Sequence, residues 1–140
     1  MRELMNRVGE TAQDNLIAGA FPPAEVTGVM LRAVEKETLL ARGTVLARSS
    51  ADGKAVILGT EAEGPKAASG DAPAVPAETL EAAWILCDDT LVGKEDTGTV
   101  AYRAGNFNTK ALITAEGYAL SEADRDSLRR YRIVLNDNMQ

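Results

Sequence analysis

The run Arg42-Gly-Thr-Val-Leu-Ala-Arg48, followed by Ser49-Ser-Ala-Asp-Gly53 and then Lys54-Ala-Val-Ile-Leu58, decides the fold class. Two β-rich segments flank five turn-forming residues that end in Asp-Gly, the dipeptide that best reverses a strand, and this pattern predicts a hairpin. Toward the N-terminus, Val26, Val29, Leu31 and Ala33 give an imperfect extended pattern, with Gly28 placed where a bulge is expected. A charged turn, Glu35-Lys-Glu37, then leads to Leu39 and Leu40. Toward the C-terminus, Ala82-Ala-Trp-Ile-Leu-Cys87 is an apolar run ended by Asp88-Asp89, as expected of a buried strand. Thr99–Arg103 and Lys110–Thr114 are further predicted strands, separated by a turn at Gly105-Asn-Phe-Asn108 with Phe107 as its aromatic anchor.

One helix is expected, late in the chain. Ser121 is suited to cap it, with Asp124 three residues on in the manner of a capping box. Glu122, Asp124 and Asp126 stand at its start and Arg129, Arg130 and Arg132 at its end, which matches the helix dipole. Ile133-Val-Leu135 follows as a short strand. The expected class is mainly β with one C-terminal helix (α+β): a small, loop-rich β barrel or sandwich.

At 140 residues the chain has room for one domain and a modest appendage. Aromatic residues are 4% of the chain against 45% hydrophobic, so the core must rest on Val, Leu, Ile and Ala. Residues 1–20 are expected to form an N-terminal arm: Leu4, Met5 and Val8 are interrupted by Gly9 and a polar run, and Phe21-Pro22-Pro23 is a stiff extended step. Residues 21–140 form the domain proper. Within it, Glu61–Glu78 is an Ala/Pro/Gly and acidic stretch without leucine or aromatic side chains, expected to be a mobile surface loop.

Composition also excludes functions. There is no histidine, so the usual general base and the commonest transition-metal ligand are missing. The single Cys87 cannot make an internal disulfide or a cysteine zinc site. Ser/His/Asp and Cys/His arrangements are therefore impossible within one chain. A net charge of -6, with 15 basic residues scattered among 21 acidic ones, argues against nucleic acid. No apolar run approaches a bilayer span, and Met1–Arg7 lacks the apolar stretch of a signal peptide, so synthesis in a cytoplasm is expected.

Little in the pattern carries chemistry. Asp88-Asp89, with Glu95 and Asp96, is the one acidic group that could hold a cation or catalyse, and acidic residues at a strand end are commonly a solvated turn. No phosphate loop, dinucleotide fingerprint or calcium loop is present. Trp84 is expected in the core, and Tyr102, Phe107 and Tyr131 in the core or at a subunit contact. No cofactor, no metal and no catalytic residue is expected.

The wording of several segments resembles the bacteriophage lambda-type head decoration proteins. They are Asn15-Leu-Ile-Ala-Gly19 before Phe21-Pro22, Leu40-Ala-Arg-Gly-Thr-Val-Leu46, Ile85-Leu-Cys-Asp-Asp89, and Val100-Ala-Tyr-Arg-Ala-Gly-Asn-Phe-Asn108. Ala111-Leu-Ile-Thr114, a helix and Arg132-Ile-Val-Leu135 complete the order, so that the resemblance covers about residues 15–137. It rests on the succession of segments, and residues 1–14 lie outside it.

The resemblance implies a β-tulip-like fold and a non-enzymatic virion protein that stabilises the head. Homotrimers would sit on the outer surface at three-fold sites of the expanded head and cement neighbouring major capsid proteins. The arm contacts it implies fall on Asn15, Leu16, Ile17, Ala18, Gly19 and Phe21. Edge-strand addition needs an extended, apolar, unpaired segment, and Leu16-Ile17 before the diproline is such a segment. Three arms on one trimer would bind together and gain avidity. On this reading, Leu16 and Ile17 accept aspartate without loss of the fold. Two other classes compete: a small β-domain binding module for a surface sugar or peptide, and a metal-dependent enzyme using Asp88, Asp89 or Glu95.

Overall fold

A computed structural model describes residues 15–64, 67–68, 70–71, 73–74 and 76–137. The expectations placed on residues 1–14, and on the interior of the Ala/Pro/Gly stretch at 65–66, 69, 72 and 75, lie outside these. The described chain is mainly β: β1 (Ile17–Gly19), β2 (Glu25–Leu31), β3 (Thr38–Leu40), β4 (Val45–Ser49), β5 (Ala55–Ile57), β6 (Leu80–Leu86), β7 (Thr90–Val92), β8 (Thr97–Asn108), a 3-10 turn (Thr109–Ala111), α1 (Glu122–Arg130) and β9 (Ile133–Asn136).

The hairpin forms where the turn chemistry puts it. β4 and β5 pair antiparallel through Leu46↔Ile57, Ala47↔Val56 and Arg48↔Ala55. Gly53 takes φ +73°, a conformation costly for a residue with a Cβ, and its N–H donates to the Ser49 carbonyl at 2.9 Å. The Asp52 carboxylate accepts from the Lys54 N–H at 2.9 Å and completes the turn.

Strands β8, β2, β5, β4 and β6 pair in that order, and β6 pairs back onto β8, which closes a small barrel. Each barrel strand sends a side chain into one cluster: Ala101, Leu31, Ala55, Leu46 and Leu86. This cluster is the barrel interior, plugged at one mouth by Leu40 and Val92 from the two-stranded β3–β7 ribbon. The neighbouring positions point outward. Val45, Ala47, Ala82, Ile85 and Tyr102 build a second core outside the wall, covered by Leu16, Phe107, Leu128 of α1 and Ile133 of β9. This explains why Ala82–Cys87 is apolar on both faces: the strand has a core on each side.

α1 is capped by Ser121, whose Oγ accepts from the Asp124 N–H at 3.1 Å while the Asp124 carboxylate accepts from the Ser121 N–H at 3.0 Å. The expected capping box is thus complete.

Four local expectations are corrected. Gly28 is not a bulge: it pairs directly with Val100, and the β2–β8 register shifts instead between Glu25 and Val26. Gly105–Asn108 is not a turn but the last third of the 12-residue β8. It is held from both sides, by Ile17 and Gly19 of β1 and by the parallel β9, and these tertiary pairings override its turn-like composition. Lys110–Thr114 is not a strand, because the 3-10 turn occupies its start and only Ile113 makes a bridge, to Thr44. β7 lies where the sequence pattern placed no strand between Asp89 and Thr99, since three residues are too few to display a period.

Candidate functional site

The segment expected to meet a partner is residues 15–21. Its sequence suggested a free extended strand, but the structure divides it. Leu16 is 2% exposed and sits in the outer core against Phe107 and Leu128, with its carbonyl accepting from the Asn108 N–H at 2.8 Å. It is a core residue, and the expectation that it tolerates aspartate is withdrawn, because a buried carboxylate without a cation would be left there. Ile17 and Gly19 are already paired, antiparallel to β8, with Ala18 at an irregularity between them, so the segment is not the unpaired strand the sequence suggested.

What remains accessible is the far side of that strand. Among the described residues β1 ends the strand order and so presents an edge. Ile17 is 37% exposed and Phe21 is 83% exposed, while Asn15 is exposed at φ +67°. Phe21 is thus nearly bare, and with Ile17 it sets two apolar side chains beside the strand edge. Asn106 of β8 fixes the geometry: its Nδ2 donates to the Phe21 carbonyl at 3.1 Å, and a Cβ at Gly19 would lie 2.9 Å from that nitrogen. Nearby, Glu25 forms an ion pair with Arg103 at 3.3 Å and lies 3.9 Å from Arg132, leaving two exposed arginines around one carboxylate.

Sequence reasoning missed two further apolar surfaces. Leu39 and Leu91 are cross-strand partners on the outer face of the β3–β7 ribbon, exposed at 64% and 53%. Val26, Met30 and Val100 stand exposed on the bare side of the barrel wall. The signal for the second was present, as an apolar residue at alternate positions of β2 on both faces. The first had none.

Two of the four acidic residues serve the backbone, and Asp88 and Glu95 are exposed. Asp89 accepts from the Arg42 N–H at 2.7 Å. Asp96 accepts from the Ala33 N–H at 2.8 Å and pairs with Lys54, whose ammonium holds the Asp96 carboxyl below its ordinary range. Among the described residues, no three acidic or cysteine side chains gather in a way that could hold a metal ion. Cys87 is half-buried, and its carbonyl accepts from the Arg42 guanidinium at 2.9 Å. The same guanidinium lies 5.5 Å from the Tyr102 ring centre and donates to its hydroxyl at 2.8 Å. Burial pushes the Tyr102 phenol up, against the pull of that guanidinium. Tyr102 also packs against Phe107, ring centres 5.1 Å apart, so both are core residues. Trp84 is half-buried against the inner cluster, whereas Tyr131 is 40% exposed.

Among the described residues no helix is long and apolar enough to cross a membrane. No model of a known protein family matches the chain, and no curated protein matches it.

Proposed function

We propose that the chain is a non-enzymatic decoration protein of a bacteriophage head, binding as trimers at three-fold sites of the expanded shell and cementing neighbouring major capsid proteins from the outside. The observation that carries the reading is the β1 edge, with Ile17 and Phe21 exposed beside it, at the point where residues 1–14 join the domain. A strand edge offers unpaired N–H and C=O groups, and the flanking apolar side chains give a partner strand its register. The contacts expected of Leu16 pass to Ile17 and Phe21, since Leu16 holds the core.

The test is co-sedimentation with expanded empty heads and with unexpanded procapsids of the encoding phage. The full chain binds expanded heads saturably, one trimer per three-fold site, and binds procapsids little. Ile17→Asp with Phe21→Ser abolishes that binding while the thermal melt stays within a few degrees. Equal binding to both forms of the head, or unchanged binding by the double variant, refutes the proposal.

A further inference from the structure

One cavity, remote from the β1 edge in the strand order, has no part in the reading above. It lies at the seam between β2 and β5. β2 and β5 are joined by the single parallel pair Leu31↔Ala55, and beyond it the two strands part. The seam opens into a cavity of about 340 Å³ at the mouth plugged by the β3–β7 ribbon, lined chiefly by Leu31, Leu40, Ala55, Ile57, Val92 and Ala115. Barrel mouths are among the common places for ligand sites, and this volume is within the range such sites span.

The charges at the opening select what can enter. Among the described residues, Arg32 is the one cation in the cavity wall. Its Nε and Nη2 donate to Asp52 at 3.3 Å, its Nη1 donates to Glu78 at 3.4 Å, and its Nη2 also pairs with Glu78. It is therefore already shared between two carboxylates and has little to offer an anion. Glu116, also in the wall, is an exposed carboxylate. The opening is thus apolar within, with Arg32 committed to Asp52 and Glu78 and the Glu116 carboxylate exposed in its wall, the reverse of what a fatty acid requires. A lysine side chain has the complementary form, a flexible aliphatic stem that prefers apolar contact and a compact ammonium that stays at the wet rim.

We infer that this cavity receives an aliphatic cation, presented as a lysine side chain of a protein partner, with the stem among the leucines and the ammonium beside Glu116. This inference goes beyond the head-decoration reading and does not depend on it.

The test uses the full ¹⁵N-labelled chain and amide NMR titrations with n-pentylammonium, 1-pentanol and pentanoate. Pentylammonium shifts the amides of Leu31, Leu40, Val92 and Ala115 saturably, pentanol does so more weakly, and pentanoate does not. Glu116→Gln lowers the pentylammonium affinity about two- to fivefold, the effect of one partly exposed ion pair, and leaves pentanol unchanged. Ala115→Trp fills the cavity and removes all binding, and Ala33→Leu serves if that variant fails to fold. Blocked tripeptides with central lysine or norleucine separate the sources. Preference for lysine supports the inference, while binding of the free amine without the lysine peptide overturns the side-chain source. Pentanoate binding as well as pentylammonium, or shifts confined to residues away from the cavity, overturns the site.

Discussion

Glu78 shows how much one side chain can organise. It is the last residue of the Ala/Pro/Gly stretch, yet it is 6% exposed. Its carboxylate pairs with Arg32, accepts from the Ser49 hydroxyl, and accepts from the Glu63 N–H at 3.1 Å, while its own N–H donates to the Glu63 carbonyl at 2.9 Å. The base of the loop is thereby clasped to β4 and to Arg32, the residue that follows β2. The Arg32 guanidinium, with help from Ser49 and Glu63, holds the Glu78 carboxyl down at about 2, and Glu78 in turn holds Arg32 above its already high value. A carboxyl depressed on folding stabilises the fold at every pH above its unfolded value of 4.5, and that contribution is lost as pH falls from there toward 2. Glu78→Gln is expected to cost about 3 kcal/mol, the lower end for breaking a buried pair, since Arg32 keeps some solvent contact. Urea unfolding checks this at pH 7. Below pH 4.5 the gap between variant and parent narrows, and a constant gap down to pH 2 would contradict the assignment.

At the scale of elements, β8 is the strand on which the fold turns. It pairs with β2 and β6 along its first part and with β1 and β9 along its last. Gly105 marks the change, where a Cβ would lie 2.7 Å from the Phe107 ring. Gly105→Ala therefore forces that ring to move or the strand to straighten, and the expected loss is about 1–3 kcal/mol, read from chemical denaturation. Gly98→Ala is the control, because a Cβ there meets nothing within 4 Å. Equal losses at the two glycines would show that Gly105 has no steric role. α1 depends on its cap, so Ser121→Ala is expected to cost about 1 kcal/mol in the same assay, with Ser121→Asn retaining most of the stability.

For the whole molecule, two cores share one wall. Leu46 belongs to the barrel interior and Leu128 to the outer core, yet Val45 and Ala47, the neighbours of Leu46, belong to the other side. Neither core can be lost while the strands between them persist, so the domain should melt in one transition. Leu46→Ala and Leu128→Ala are each expected to lower stability by about 2–5 kcal/mol and to shift that single transition, followed by calorimetry and far-ultraviolet circular dichroism together. A variant that splits the melt in two would mean that the cores unfold separately. Leu16→Ala belongs with them, as a third lining residue at 2% exposure, and its loss should exceed that of Ile17→Ala.

The β class, the Asp-Gly hairpin, the two-sided strand Ala82–Leu86 and the capped helix were legible in the residues themselves. Each depends on local causes: turn chemistry, apolar periodicity, and the side chains that satisfy a helix terminus. The barrel closure, the β3–β7 plug and the strand character of Gly105–Asn108 were decided by contacts between residues far apart in the chain, to which neither turn composition nor a three-residue strand offers a local clue. The candidate site divided along the same line. Its apolar, extended character was written in Leu16, Ile17 and Phe21. Which of them is buried depends on β8 lying beside β1, because alternate side chains of a paired strand point to opposite faces, and only the tertiary pairing decides which face meets the core.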